Sequence, residues 1–241
     1  MSMERIYFNQ IENLKEIMHG SKLKIKLLQR LLGFTLAEVL ITLGIIGVVA
    51  ALTIPALMNE TQDKEFKEAA KEAFSKSSQA IQQMRNDEGG SLETYYQNSG
   101  AFKPVFMTYF KVIKDCGGSG CVPPLGSGST VYTSLTGLGA ETDYMDEGQF
   151  ITADGMLLGI QNSLNMGIPN NLFITVDVNG YTKKPNVFGR DIFMFQVIND
   201  NLTPVGAKGT NFLASSYCNK SLNVANQGFG CMYNVMQGLD Y

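Results

Sequence analysis

Charge is missing from one long stretch of this chain, and histidine is almost missing from all of it. Residues 39–59 contain no Lys, Arg, Asp, Glu or His. The single histidine, His19, lies upstream of that stretch, so no Ser/His/Asp or Cys/His arrangement can form from the residues after it. No Walker or dinucleotide-binding glycine pattern occurs. These absences remove the usual hydrolase and nucleotide-dependent classes, and the expectation is a protein that is not an enzyme. A strong basic excess is also lacking, the formal net charge being −3, so no general nucleic-acid binding is expected.

What the uncharged stretch offers is length. About twenty apolar residues at 1.5 Å each can cross the roughly 30 Å hydrocarbon core of a bilayer. One carboxylate, Glu38, stands at its edge. An ionisable group is expensive there, which makes Glu38 a candidate functional residue. Upstream, Lys22, Lys24, Lys26 and Arg30 have no acidic neighbours, so the segment before the span is expected to stay in the cytoplasm and the C-terminal part to face out.

The basic run followed by Gly33, Phe34, Thr35, Leu36 and Glu38, with Pro55 near the far end of the apolar run, resembles the N-terminus of the type IV pilin family, which includes the pseudopilins of type II secretion. The likeness covers roughly residues 22–57. It implies that residues 1–33 are a leader, starting at Met1 or Met18. A prepilin peptidase would remove it between Gly33 and Phe34 and methylate the new Phe34 amine. It implies that Glu38 meets the Phe34 amine of a neighbouring subunit during assembly. Opposite charges in a low-dielectric bundle attract strongly while either alone is penalised, so such a pair also sets register. The implied partners are the peptidase, the membrane, an inner-membrane assembly platform, and copies of the chain and related pilins in a filament. The implied location is single-pass in the inner membrane with an exported C-terminal domain, then a cell-surface or periplasmic filament. The function expected is a structural subunit, pilin or pseudopilin; the alternative is a low-abundance, tip-located pilin-like module that binds a partner or DNA. An ordinary signal peptide or plain anchor shares the basic and apolar regions but has little use for Glu38. Loss of the leader removes His19 with six basic and three acidic residues, leaving a net charge near −6.

Beyond Pro55 the pattern turns amphipathic. Phe66, Ala69, Ala70, Ala73, Phe74, Ser77, Ala80, Ile81 and Met84 recur at three- and four-residue steps, with Lys and Glu between them. Glu60/Lys64 and Glu72/Lys76 attract at i,i+4, while Glu68/Glu72 repel. One helix over about 34–85 is expected, bent at Pro55. The organisation read is a leader (1–33), a membrane and assembly helix (34–59), its amphipathic continuation (60–87) and an exported β-rich domain (88–241). Strands are expected at 130–135, 149–153, 156–161, 172–178 and 192–198, with turns at Asp154-Gly155 and Asn179-Gly180. The fold class expected is α+β, the long helix laid on a small antiparallel sheet.

Four cysteines allow three connectivities. Local pairs are favoured. Glycines let the Cys116/Cys121 ring close, and Cys218/Cys231 resembles the C-terminal disulfide loop of many pilins. Zinc is disfavoured by the C-x4-C spacing and the lost histidine. No cofactor is expected, with calcium left open. Asp177, Asn179 and Asp191, near Gly180, Asn186 and Gly189, are oxygen ligands beside glycine turns; turn formation alone also accounts for Asn179, Gly180, Pro185 and Asn186.

Overall fold

The computed structural model describes residues 34–96, 100–122, 131–140, 143–162, 172–222 and 226–241. Residues 1–33, read as a leader from the sequence and including His19 and Gly33, lie outside the described residues. The chain divides into two units, Met1–Met58 and Asn59–Tyr241.

The described part of the first unit is the apolar half of helix α1 (Leu36–Asp87), which continues through Pro55. An 18-residue window of α1 reaches a mean hydropathy of 2.4 with none of it buried. The helix is therefore long and apolar enough to cross a membrane. Its two hydroxyl groups are satisfied internally: Thr42 donates to the Val39 carbonyl at 3.0 Å and Thr53 to the Val49 carbonyl at 2.9 Å. Hydroxyls that bond back to the backbone can face lipid without a stranded donor.

The second unit contains the amphipathic half of α1. Phe66, Ala70, Ala73, Ser77, Ala80, Ile81 and Met84 form its buried stripe. On the charged face Lys64 pairs with Glu60, Lys71 with Glu68 and Lys76 with Glu72. Glu68 and Glu72, expected to repel, are thus each matched to a lysine. Lys76 also reaches Asp154 at 2.8 Å. The helix ends where Gly89 and Gly90 take positive φ and the Gly90 N–H closes on the Arg85 carbonyl at 2.8 Å.

Short helices α2 (Glu93–Tyr96) and α3 (Phe102–Phe106) lead to strand β1 (Val112–Asp115). Then come β2 (Gly148–Thr152), β3 (Leu157–Gln161), β4 (Phe173–Asp177), β5 (Ile192–Ile198) and β6 (Asn201–Pro204), followed by helices α4 (Ala214–Tyr217) and α5 (Cys231–Gln237). The strands pair in chain order, every neighbour antiparallel. The architecture is α+β, a long helix on a six-stranded sheet.

Both faces of that sheet are covered. Ile174, Val176, Phe193, Phe195 and Val197 share a cluster with the helix stripe, and Phe74 meets Phe195 edge-on with ring centroids 5.3 Å apart. Residues of the opposite phase, Phe173, Ile192 and Met194, pack with Tyr132, Tyr144, Phe188 and Phe229. Two covered faces explain why β4 is buried at every position, where a half-solvated antiparallel strand would alternate.

Two expectations need correction. Of the strand expected at 130–135, the described residues 131–135 do not form one. Thr130 lies outside the described residues, and Thr133 makes only isolated bridges, to Gly139 and Val187. The chain doubles back there, the Ser134 N–H donating to the Leu138 carbonyl at 2.6 Å around Gly137. Strands β1 and β6 were not anticipated; both are sheet edges, where one neighbour suffices and residues such as Lys114 and Pro204 are tolerated. Asn179-Gly180 does stand at a turn, with Gly180 at φ 79° and both N–H groups given to Asp177, and the connection from β4 to β5 runs on over residues 178–191.

Candidate functional site

Two places gather the chemistry. The first is the start of α1. Phe34 is exposed and Thr35 stands just outside the helix. The Glu38 N–H donates to Thr35 Oγ1 at 3.1 Å, and the Thr35 N–H donates back to Glu38 Oε2 at 3.4 Å. This reciprocal arrangement is a capping box, which satisfies two donors that a helix start otherwise leaves unpaired. The carboxylate also lies at the positive end of the helix dipole. Glu38 therefore has work within its own chain, and Thr35 is a participant that sequence reading passed over. Its signal was there: Thr-x-x-Glu ahead of an apolar run is the capping pattern.

The second place is the β4–β5 loop. Asp177 is the last residue of β4, in phase with Phe173 and Thr175, and is completely buried. Asp191, immediately before β5, is also completely buried. Asp177 Oδ1 accepts the Gly180 N–H at 2.8 Å and the Asn179 N–H at 3.3 Å; its Oδ2 accepts the Tyr132 hydroxyl at 3.0 Å. Asp191 accepts the Asn186 and Val187 N–H groups at 2.8 and 2.7 Å. Neither carboxylate has an ion-pair partner among the described residues. Arg190, next in sequence to Asp191, gives its Nε to Asp63 of α1 at 2.6 Å instead.

Burial, and then the negative charge of Asp191, push the Asp177 carboxyl up to about 7, against the pull of its three donors. Burial likewise raises Asp191, opposed by the Val187 and Asn186 N–H groups and by the Asn179 side chain. Burial and Asp177 drive the Tyr132 hydroxyl far above its ordinary range, so it stays a donor. Two further oxygens complete the picture. Asn179 spends its amide N–H₂ on the Lys183 and Lys184 carbonyls, and Asn186 spends its own on the Tyr181 carbonyl. The carbonyl oxygens of both side chains are buried without a hydrogen-bond partner. The donor set around the two aspartates is all oxygen; no group of three or more His, Cys, Asp or Glu suited to a metal exists among the described residues.

Sequence reading placed Asp177, Asn179 and Asp191 in one candidate set, and the fold brings them together. It did not include Tyr132, which arrives from 45 residues upstream.

Cys116 is bonded to Cys121 and Cys218 to Cys231, with Cα separations of 5.2 and 4.8 Å. The second bond ties the end of α4 to the first residue of α5. Behind it, Gly228 at φ +109° lies so close to Phe188 that a Cβ would stand 2.0 Å from the Phe188 carbonyl oxygen. The disulfide-closed segment thus backs directly onto the β4–β5 loop.

Comparison with protein-family models, curated proteins and solved structures returns no match.

Proposed function

We propose that the chain is a structural subunit, pilin or pseudopilin, of a filament built through the N-terminal half of α1. In this reading the leader is cut between Gly33 and Phe34 and the Phe34 amine is methylated. The observation that carries it is the character of that helix half: every large side chain is exposed, and the one carboxylate sits in the first turn, four residues from Phe34.

An apolar rod of this length is not left bare to water. Lipid covers it while the subunit waits in the membrane, and sister rods cover it in the filament. Inside such a bundle a lone carboxylate is costly unless a cation meets it, and the amine at the trimmed start of a neighbouring rod is a suitable cation. The contact forms at one axial offset, so it selects register as well as adding attraction. The two disulfides suit an oxidising compartment on the exported side of the membrane.

Mass analysis and N-terminal sequencing of the membrane-extracted protein test the reading. The expected first residue is an N-methylated Phe34. A retained leader, or a start beyond Ala51, overturns it.

A further inference from the structure

We propose that the cavity lined by α1, the 131–140 segment and the β4–β5 loop binds a small molecule through a doubly negative group, a phosphate monoester or a dicarboxylate, held by Lys67 and Lys220 around the Tyr241 ring. The inference does not depend on filament assembly, and its test is read on the isolated chain.

Tyr241 is the common point of the site. The Lys67 ammonium lies 4.7 Å from the centre of its ring, and the Lys220 ammonium lies 5.9 Å from the same centre. The ring is fixed, because its hydroxyl donates to the Gly189 carbonyl at 2.7 Å. Arg190, next to Gly189, holds Asp63 of α1 at 2.6 Å. These six residues line one cavity of about 400 Å³. Three separate parts of the chain therefore supply its cations: Lys67 from α1, Arg190 from the β4–β5 loop and Lys220 from the segment after α4.

The charges there do not cancel. Asp63 and Arg190 match each other. Lys67 and Lys220 have neither an ion pair nor a hydrogen bond among the described residues, and Asp240, the acid beside Tyr241, pairs with neither. Contact with the face of one ring accounts for part of their placement. It still leaves two positive charges without a counter-ion, in a chain whose formal net charge is −3. Unmatched cations gathered in one concave place attract an anion, and two of them call for two negative charges. A phosphate monoester carries about −1.5 to −2 at neutral pH, and a dicarboxylate carries one charge at each end. Thr133 and Ser134 add hydroxyl groups to the same lining. The volume falls in the range of about 300–1,000 Å³ usual for small-molecule sites, so the cavity has room for the body that carries the charged group.

The test uses the full chain in detergent with its disulfides intact. Calorimetric titration compares glycerol phosphate, succinate, inorganic phosphate and glycerol. Saturable one-to-one binding of glycerol phosphate or succinate is expected, tighter than that of inorganic phosphate, weakened by added salt and absent for glycerol. The stronger of the two organic dianions identifies the group as phosphate or paired carboxylates. Its binding should raise the melting temperature and slow hydrogen exchange over residues 187–190. Lys67→Gln and Lys220→Gln should each weaken binding about tenfold, the scale of one charge-assisted hydrogen bond, and the double variant should not saturate. Lys220→Arg keeps the charge and should bind nearly as the parent does. Lysines that only covered Tyr241 would give variants of lower melting temperature with no change in binding. Lys220 lies outside α1, so Lys220→Gln is read alone if Lys67→Gln fails to fold. Absence of saturable binding by both organic dianions, equal binding of glycerol, or binding that survives in the double variant (an adventitious patch such as Lys183 and Lys184) overturns the proposal.

Discussion

Replacing Glu38 by glutamine separates two jobs that this side chain can do. In the chain by itself Glu38 closes a capping box with Thr35, at 3.4 and 3.1 Å. Glutamine keeps an oxygen for the Thr35 N–H and loses only the charge, and Gln is an accepted partner in that box. What the cap contributes is about 1 kcal/mol. In the proposed filament, a charge pair between Glu38 and a neighbour's amine about 4 Å away would contribute about 4 kcal/mol at an effective dielectric of 20. That is on the order of a thousandfold per contact, repeated at every subunit. Glu38→Gln should therefore insert in the membrane like the parent yet reduce filament yield by more than an order of magnitude, matching Glu38→Val. Thr35→Ala, which opens the cap and keeps the charge, should still assemble. Membrane fractionation and immunoblotting of sheared filaments measure both quantities. Wild-type filament yield from Glu38→Gln would refute the charge argument and leave Glu38 as a helix cap.

Two further outcomes follow from the second unit. Stability should fall as pH rises from about 4 through about 7. Folded Asp177 titrates near 7 against an unfolded value of about 3.9, so the folded chain holds a proton over that window that the unfolded chain has released. The loss is on the order of 4 kcal/mol, and raised Asp191 adds to it with the same sign. Asp115 and Asp154, whose carboxyls are held below their ordinary values, act only at lower pH. Urea unfolding at pH 5 and pH 8 reads the difference, and equal midpoints would contradict the burial of the pair. Gly228→Ala should cost at least about 2 kcal/mol, since it meets both a left-handed φ and the Phe188 carbonyl; an unchanged melting curve would show that the disulfide segment is not seated on the β4–β5 loop.

The helix was legible because its signals are local. A charge-free run, a three-four stripe and a pair of glycines at the end mark α1 almost to the residue, and α1 does run from Leu36 to Asp87. The central strands were legible for a related reason: with both faces of the sheet covered, β3, β4 and β5 read as short, nearly continuous apolar runs. The edges were not, because an edge strand is shaped by what it avoids. Lys114 in β1 and Pro204 in β6 blunt further pairing and dilute the pattern that would announce a strand.

The β4–β5 loop marks where local reading stops and what extends it. Turn-forming Asp, Asn and Gly residues look alike whether or not they hold an ion, so the motif alone leaves both readings open. Phase distinguishes them. Asp177 follows Phe173 and Thr175 at two-residue steps, on the same side of β4. A carboxylate in phase with a buried aromatic must itself be buried, and a buried carboxylate needs a partner. The partners that three-dimensional structure supplies are not a lysine or arginine but the Tyr132 hydroxyl and the Asn179 and Gly180 N–H groups, with Asp191 near enough to push the carboxyl further up. Arg190, the nearest cation in sequence to Asp191, is spent on α1. A fold that sends its available cation away from two buried acids favours a proton between them. A shared proton fits the raised pKa of both carboxyls, and it is lost as pH rises through about 7.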